Sequence, residues 1–257
     1  MSKSHSKLIF IDTNILLDFY RSRNDASLAL LRRLDSLYDQ IIITCQVEME
    51  FKKNRQGVIQ ESLKLLKHPE SQIVLPAFLK EAKTVELMKE QSKDTTKRVD
   101  KLKKRIESLL AKPTLDPVYR EAQRLFINNS SLNLKRESNQ FKLIRQRALQ
   151  RFMQGMPPRK KDDTSIGDAI NWEWIIACAE KSDRDVIIVS RDADYGLVLD
   201  EGVSFINDWL SQEFKKKISQ KRKIQLTGRL ATALDALSIK ITLEEKSSEE
   251  RGEVNSE

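Results

Sequence analysis

Carboxylates are the main chemistry this chain has to offer, and four segments far apart place them where an apolar run stops or a helix starts. Leu8-Ile9-Phe10-Ile11 is a β-type run that ends on Asp12, followed by Thr13 and Asn14. Ile41-Ile42-Ile43-Thr44 leads into a helical stretch carrying Glu48 and Glu50. Gly167-Asp168 opens an apolar helical stretch that reaches Glu180, and Val186-Ile187-Ile188-Val189 runs into Ser190-Arg191-Asp192-Ala193-Asp194-Tyr195. Open parallel sheets bind ligands beyond the carboxyl ends of their strands. A buried strand has no structural use for an ionised carboxylate unless something cationic meets it. The four segments therefore read as one divalent-cation site built from oxygen ligands.

Each acid also has a structural reading. Asp12 can cap the turn that follows it, and Asp168 can be a simple acid at a helix N-terminus. Glu48 and Glu50 lie about 200° apart on a helix, so only one can face a given pocket. Asp192 and Asp194 share a turn, where either can close an Asx-turn. Asn14 and Ser190 suit residues that orient the acids, and Asp162 or Asp163 could supply an outer ligand. Other chemistries lack material. The two histidines, His5 and His68, exclude a histidine-pair ribonuclease, a Ser-His-Asp hydrolase and a histidine-rich metal site, and no Walker-type glycine loop is present. Cys45 and Cys178 lie in apolar stretches without pairing or metal spacing and read as buried free thiols.

The elements that must position these acids alternate in type. Strands are expected at 7–11, 41–44, 186–190 and 203–206. Helices are expected at 25–38, 46–67, 77–111, 117–127, 134–153 and 168–181, with two more at the C-terminal end. This alternation implies an α/β fold with a central parallel sheet. Seven glycines and six prolines in 257 residues argue against long loops. The charge is unevenly spread: from Lys52 to Lys161 there are 27 basic and 11 acidic residues, a net +16, against +8 for the whole chain. A one-signed surface of that size repels itself unless an anion is near, so nucleic acid is the expected partner of this stretch. Self-association, as a homodimer, or a protein partner bound through the same helices is the other reading. No apolar run nears the roughly 20 residues that span a bilayer, and no signal-peptide core is evident, so a soluble, cytoplasmic protein without membrane contact is expected. Residues 243–257, acidic and almost without apolar side chains, are expected to be disordered.

The order of these segments resembles the PIN-domain nucleases. Phe10-Ile11-Asp12-Thr13-Asn14 is similar to that family's opening strand, Val47 with Glu50-Phe51 to its second acid, Asp168-Ala169 to its third, and Ser190 to Tyr195 to its closing acidic turn. Glu50-Phe51-Lys52-Lys53-Asn54-Arg55, and Pro157-Pro158 followed by Lys161-Asp162, resemble a PIN-like subfamily with a long helical insertion. The resemblance covers residues 7–55 and 157–210, about two fifths of the chain. It implies a PIN-like sheet in two halves, 1–55 and 157–242, around a basic helical insertion at 56–156. It selects Glu50 over Glu48 and implies Asp12, Glu50, Asp168 and Asp192 as catalytic metal ligands, with Asp194 a further ligand. Mg²⁺ or Mn²⁺ is the implied cofactor. The implied activity is an endonuclease, with RNA preferred over DNA, leaving 5′-phosphate and 3′-hydroxyl ends. A flap-type DNA nuclease and a non-catalytic nucleic-acid-binding module are the alternatives. Arg55, Lys97, Arg98, Lys101, Lys104 and Arg105 are the expected nucleic-acid contacts.

Overall fold

A computed structural model describes residues 7–22, 24–68, 83–159, 165–199 and 202–253. Within them the order is β1 (Leu8–Ile11), α1 (Thr13–Asp18), α2 (Asp25–Arg33), β2 (Ile41–Thr44), α3 (Cys45–Leu65), α4 (Lys83–Ala111), α5 (Pro117–Ile127), β3 (Asn133–Leu134) and α6 (Asn139–Met153). There follow α7 (Gly167–Ser182), β4 (Val186–Val189), β5 (Gly196–Val198), β6 (Ser204–Ile206), α8 (Asp208–Lys217), β7 (Ile224–Thr227), α9 (Leu230–Asp235) and α10 (Leu243–Glu253).

Five strands form one parallel sheet in the order β3-β2-β1-β4-β7. The expected α/β class with a parallel sheet flanked by helices is the observed one. Strands buried on both faces read as unbroken apolar runs, and all four residues of β1, β2 and β4 are buried. β1 lies in register beside β4, from Leu8 opposite Val186 to Ile11 opposite Val189. The strand order reverses between these two strands, because β2 and β3 extend the sheet on one side and β4 and β7 on the other. Such a switch point leaves a crevice at the carboxyl ends of the strands. Asp12 and Ser190 are the first residues beyond those ends.

Helix α7 is apolar nearly all round and is buried accordingly, with Trp172 and Ile175 at 0% exposure. Its two tryptophans donate to fixed acceptors, Trp174 to the Leu132 carbonyl at 2.9 Å and Trp172 to Glu213 at 3.0 Å. Glu213 also accepts from the buried Arg151, which bonds Glu173 at 2.8 Å and the Pro157 carbonyl. The network ties α6, α7 and α8 together. Burial opposes ionisation of Glu213, but Arg151 and Lys217 outweigh it and hold the carboxyl below its usual range.

The chain divides into two units, Met1–Asn54 with Glu121–Glu257, and Arg55–Arg120. The insertion is thus shorter than the expected 56–156. Its second half belongs with the sheet because β3 pairs with β2 and α6 packs along α7. Within the 55–120 unit, Arg55 is 3% exposed. It donates to Asp116 at 2.8 Å and to the Leu109 carbonyl at 2.7 Å, and its guanidinium lies 5.3 Å from the Tyr119 ring centre. Arg55 is therefore a buried clasp of this unit, which corrects its expected role as a nucleic-acid contact. Lys97, Arg98, Lys101, Lys104 and Arg105 are exposed along α4.

The tail requires a third correction, because Leu243–Glu253 is helical, while 254–257 lie outside the described residues. Thr242 and Glu245 form a reciprocal cap, with the Thr242 N–H donating to Glu245 at 2.7 Å and the Glu245 N–H to the Thr242 hydroxyl at 3.2 Å. Glu245 is buried and takes two hydrogen bonds from Arg33. Glu249 accepts the Leu230 and Ala231 N–H groups that open α9, at 2.8 and 2.7 Å. Cys45 and Cys178 are free and buried, as the sequence suggested. No helix among the described residues is long and apolar enough to cross a membrane.

Candidate metal centre

At the switch point, Asp12 is 4% exposed and engages three donors. One oxygen accepts the Thr13 N–H at 2.7 Å, which caps α1. The other accepts the Ser190 hydroxyl at 2.5 Å and the Asn14 amide at 3.0 Å. Asp12 thus caps α1 with one oxygen, while Ser190 and Asn14 fix the other. Ser190, fully buried, also accepts the Asp192 N–H at 3.0 Å, so one hydroxyl links the acid after β1 to the turn after β4. That turn is an Asx-turn closed by the Asp194 N–H on the Asp192 carboxylate at 3.2 Å.

Asp192 and Asp194 meet Asp168, in the first turn of α7. Carboxylate oxygens from all three half-buried residues lie within 4.8 Å of one another. Asp12 and Glu50 fall outside this trio but within electrostatic reach, since the charges of Asp192 and Glu50 both bear on Asp12. Burial pushes the Asp12 carboxyl up from 3.8 to about 6, and the two neighbouring acids add to the rise. The Ser190 and Thr13 hydrogen bonds pull the other way. Clustered acids of this kind repel one another until a cation enters. An all-carboxylate donor set fits a hard divalent ion such as Mg²⁺ or Mn²⁺.

Glu50 is aimed by its surroundings. The Thr13 hydroxyl donates to one oxygen at 3.1 Å and the Gln46 amide to the other at 2.6 Å. The next residue, Phe51, is fully buried between Tyr20 and Phe126, with ring centres 6.1 and 5.6 Å away, which fixes the rotation of α3. Glu48 instead pairs with Lys52 on the outer face at 2.6 Å. Gly167 leaves room for this arrangement: a Cβ there would stand 2.6 Å from Gln46 Nε2 and 2.7 Å from Glu50 Oε1, so either side chain would have to shift. Gln46 and Tyr195 have no assigned role in the sequence reading. Gln46 lies one helical turn before Glu50, a spacing that marks it as a neighbour. Tyr195 is fully buried against Phe10, and burial, with Asp168 and Asp12 nearby, holds its hydroxyl well above its ordinary pKa and protonated. Asp162 and Asp163 lie outside the described residues.

A family model described as "PIN domain" matches residues 9–195, well over half of the chain. The chain belongs to the PIN-domain family. The match runs from β1 to the acidic turn and so includes all four carboxylate segments and the basic stretch between them. Searches of curated proteins and of solved structures gave no significant match. PIN-domain membership together with the aspartate trio indicates a metal-dependent nuclease.

Proposed function

We propose that this PIN domain is a Mg²⁺- or Mn²⁺-dependent endoribonuclease that leaves 5′-phosphate and 3′-hydroxyl ends. The observation that carries the reading is the convergence of Asp168, Asp192 and Asp194 within 4.8 Å at the switch point of a parallel sheet. Asp168, Asp192 and Asp194 would hold a divalent ion there, and such an ion would supply an activated water and offset the charge that develops on the phosphate. Asp12 and Glu50 add negative charge beside it and are fixed by Ser190, Asn14, Thr13 and Gln46. Preference for RNA and the identity of the ends rest on the family resemblance. The basic residues of α4 and α6 give the chain an electrostatic grip on a polyanion.

The test compares wild-type protein with Asp168→Asn and Asp192→Asn on labelled RNA and on matched DNA, in Mn²⁺ and in chelator. Cleavage of RNA in Mn²⁺ only, reduced at least about a hundredfold in both variants with thermal midpoints retained, is the expected result. Cleavage that survives chelation sinks the metal mechanism, and cleavage confined to branched DNA assigns a flap-type activity instead.

A further inference from the structure

The antiparallel pair β5 and β6 carries apolar side chains where a surface ribbon would be expected to carry polar ones. Leu197 stands opposite Phe205, and each is 56% exposed. Leu199 and Val203, joined by a backbone hydrogen bond of 2.8 Å, are the next pair on that face and are also exposed. Side chains two apart on a strand share a face, so all four lie on one side of the ribbon. Trp209, at the start of α8, is 51% exposed. Exposed apolar side chains gathered on one ribbon face mark an interaction site.

Its position says what covers it. β5 begins two residues after Asp194, and Leu197 is three residues from that acid, an extended span of about 10 Å. The Asn207 N–H donates to the Tyr195 carbonyl at 2.8 Å, and Asn207 in turn caps α8 by accepting the Trp209 N–H at 3.0 Å. Gly196 makes this close approach possible, with a φ of +149° and no room for a Cβ against the Phe205 carbonyl. Both exposed aromatic rings are therefore tied by backbone to the acidic turn. On α8, Lys216 follows Trp209 by seven residues, two turns on the same face. An aromatic ring and a cation on one helical face match the alternation of base and phosphate in a nucleic-acid strand. The ribbon and α8 lie beyond the residues matched by the family model.

We propose that the exposed face of β5-β6 together with Trp209 is a stacking platform for unpaired bases next to the proposed metal site at Asp168, Asp192 and Asp194. It rests on the proposed nuclease reading and restricts the substrate to single-stranded segments. Bases stack on Phe205 and Trp209, Leu197 and Leu199 floor the platform, and Lys216 meets a backbone phosphate.

The experiment measures binding of a short labelled single-stranded oligoribonucleotide by the full chain in chelator, where no cleavage occurs, and cleavage separately in Mn²⁺. Phe205→Ala and Trp209→Ala should each weaken single-strand binding by about tenfold, the order of one base stack, with thermal midpoint and salt dependence unchanged. Trp209→Phe should restore most of the loss, and binding to a blunt duplex should not respond to any of the three. Unchanged single-strand binding in both alanine variants overturns the proposal. If binding is unchanged while a concentration-dependent mass falls, the face belongs to a second copy of the chain. Loss of binding in the variants of a wild-type protein that cleaves nothing supports the platform and sinks the nuclease reading alone.

Discussion

Ser190 shows how one hydroxyl can govern a site it does not complete. It donates to Asp12 and accepts from the Asp192 backbone, and its hydrogen bond is the strongest influence lowering the Asp12 pKa. An acid whose folded pKa, about 6, lies above its unfolded value of 3.8 holds its proton more tightly when folded. Stability is therefore lost as pH rises through that window, by on the order of 3 kcal/mol once Asp12 is ionised. A bound cation reverses the sign, because it favours the ionised form. Stabilisation by Mn²⁺ is thus expected to be small at pH 5 and to grow towards pH 7. Ser190→Ala should shift that rise to higher pH, since burial and neighbouring acids then act with less opposition. Thermal midpoints with and without Mn²⁺ across this range check both statements. A Mn²⁺ response that is flat with pH, or unmoved by Ser190→Ala, would detach Asp12 from the cation site.

Gly167 offers a second test of how the acids are placed. Its missing Cβ leaves room for the far ends of Gln46 and Glu50, which are flexible and can move aside. Gly167→Ala should therefore cost little stability, and alanine's better helix propensity offsets part of that cost. It should nevertheless displace Glu50 and reduce cleavage by tenfold or more. Equal activity with an unchanged midpoint would mean that the position of Glu50 is unimportant to the chemistry.

At the level of elements, α10 is where composition and structure part. Six acids in a tail with almost no apolar side chains read as disorder, but two of them find specific partners. Glu245 is paired with Arg33, and Glu249 supplies the acceptors that α9 lacks in its own N-cap, Arg229. Deleting residues 243–257 should lower the thermal midpoint by roughly 5–10 °C, from the loss of a charge-assisted pair and two capping bonds. An unchanged midpoint would restore the disordered reading. The Thr242-Leu243-Glu244-Glu245 capping-box spacing was present in the sequence as a signal, whereas Arg33, more than two hundred residues away, was not. The same division runs through the fold. β1, β2 and β4 are unbroken apolar or nearly apolar runs and are legible. β3, with two residues, β5, with three, and β7, where Gln225 interrupts the pattern, are too short or mixed for periodicity to reveal. Among the site residues, the acids are legible because buried strands reject charge. Ser190 and Asn14 are legible as orienting residues because they sit in the acidic segments, whereas which acid each one aims, Asp12 in both cases, depends on the pairing of β1 with β4 that only the folded chain shows.

Across the whole molecule, the basic excess that suggests a polyanion partner is divided between the two units. The 55–120 unit has 15 basic and 9 acidic residues, whereas residues 121–161 have 10 basic and only 2 acidic. The denser charge therefore lies on the sheet-bearing unit, around α6, where Lys142, Arg145 and Arg147 are exposed and Arg151 is consumed by Glu173 and Glu213. Lys97, Arg98, Lys101, Lys104 and Arg105 carry five of the six net charges of the other unit. Neutralising those five to glutamine, or separately Lys142, Arg145 and Arg147, separates the two contributions in binding titrations at several salt concentrations. Each phosphate that a variant no longer neutralises should flatten the slope of log affinity against log salt by about 0.7 to 0.9. Both variants are expected to lose slope, the two losses to add, and turnover at saturating substrate to change little, because the aspartates are untouched. If only the α6 variant loses slope, the 55–120 unit does not touch nucleic acid. A change in oligomeric mass in the α4 variant would then assign that unit to protein assembly.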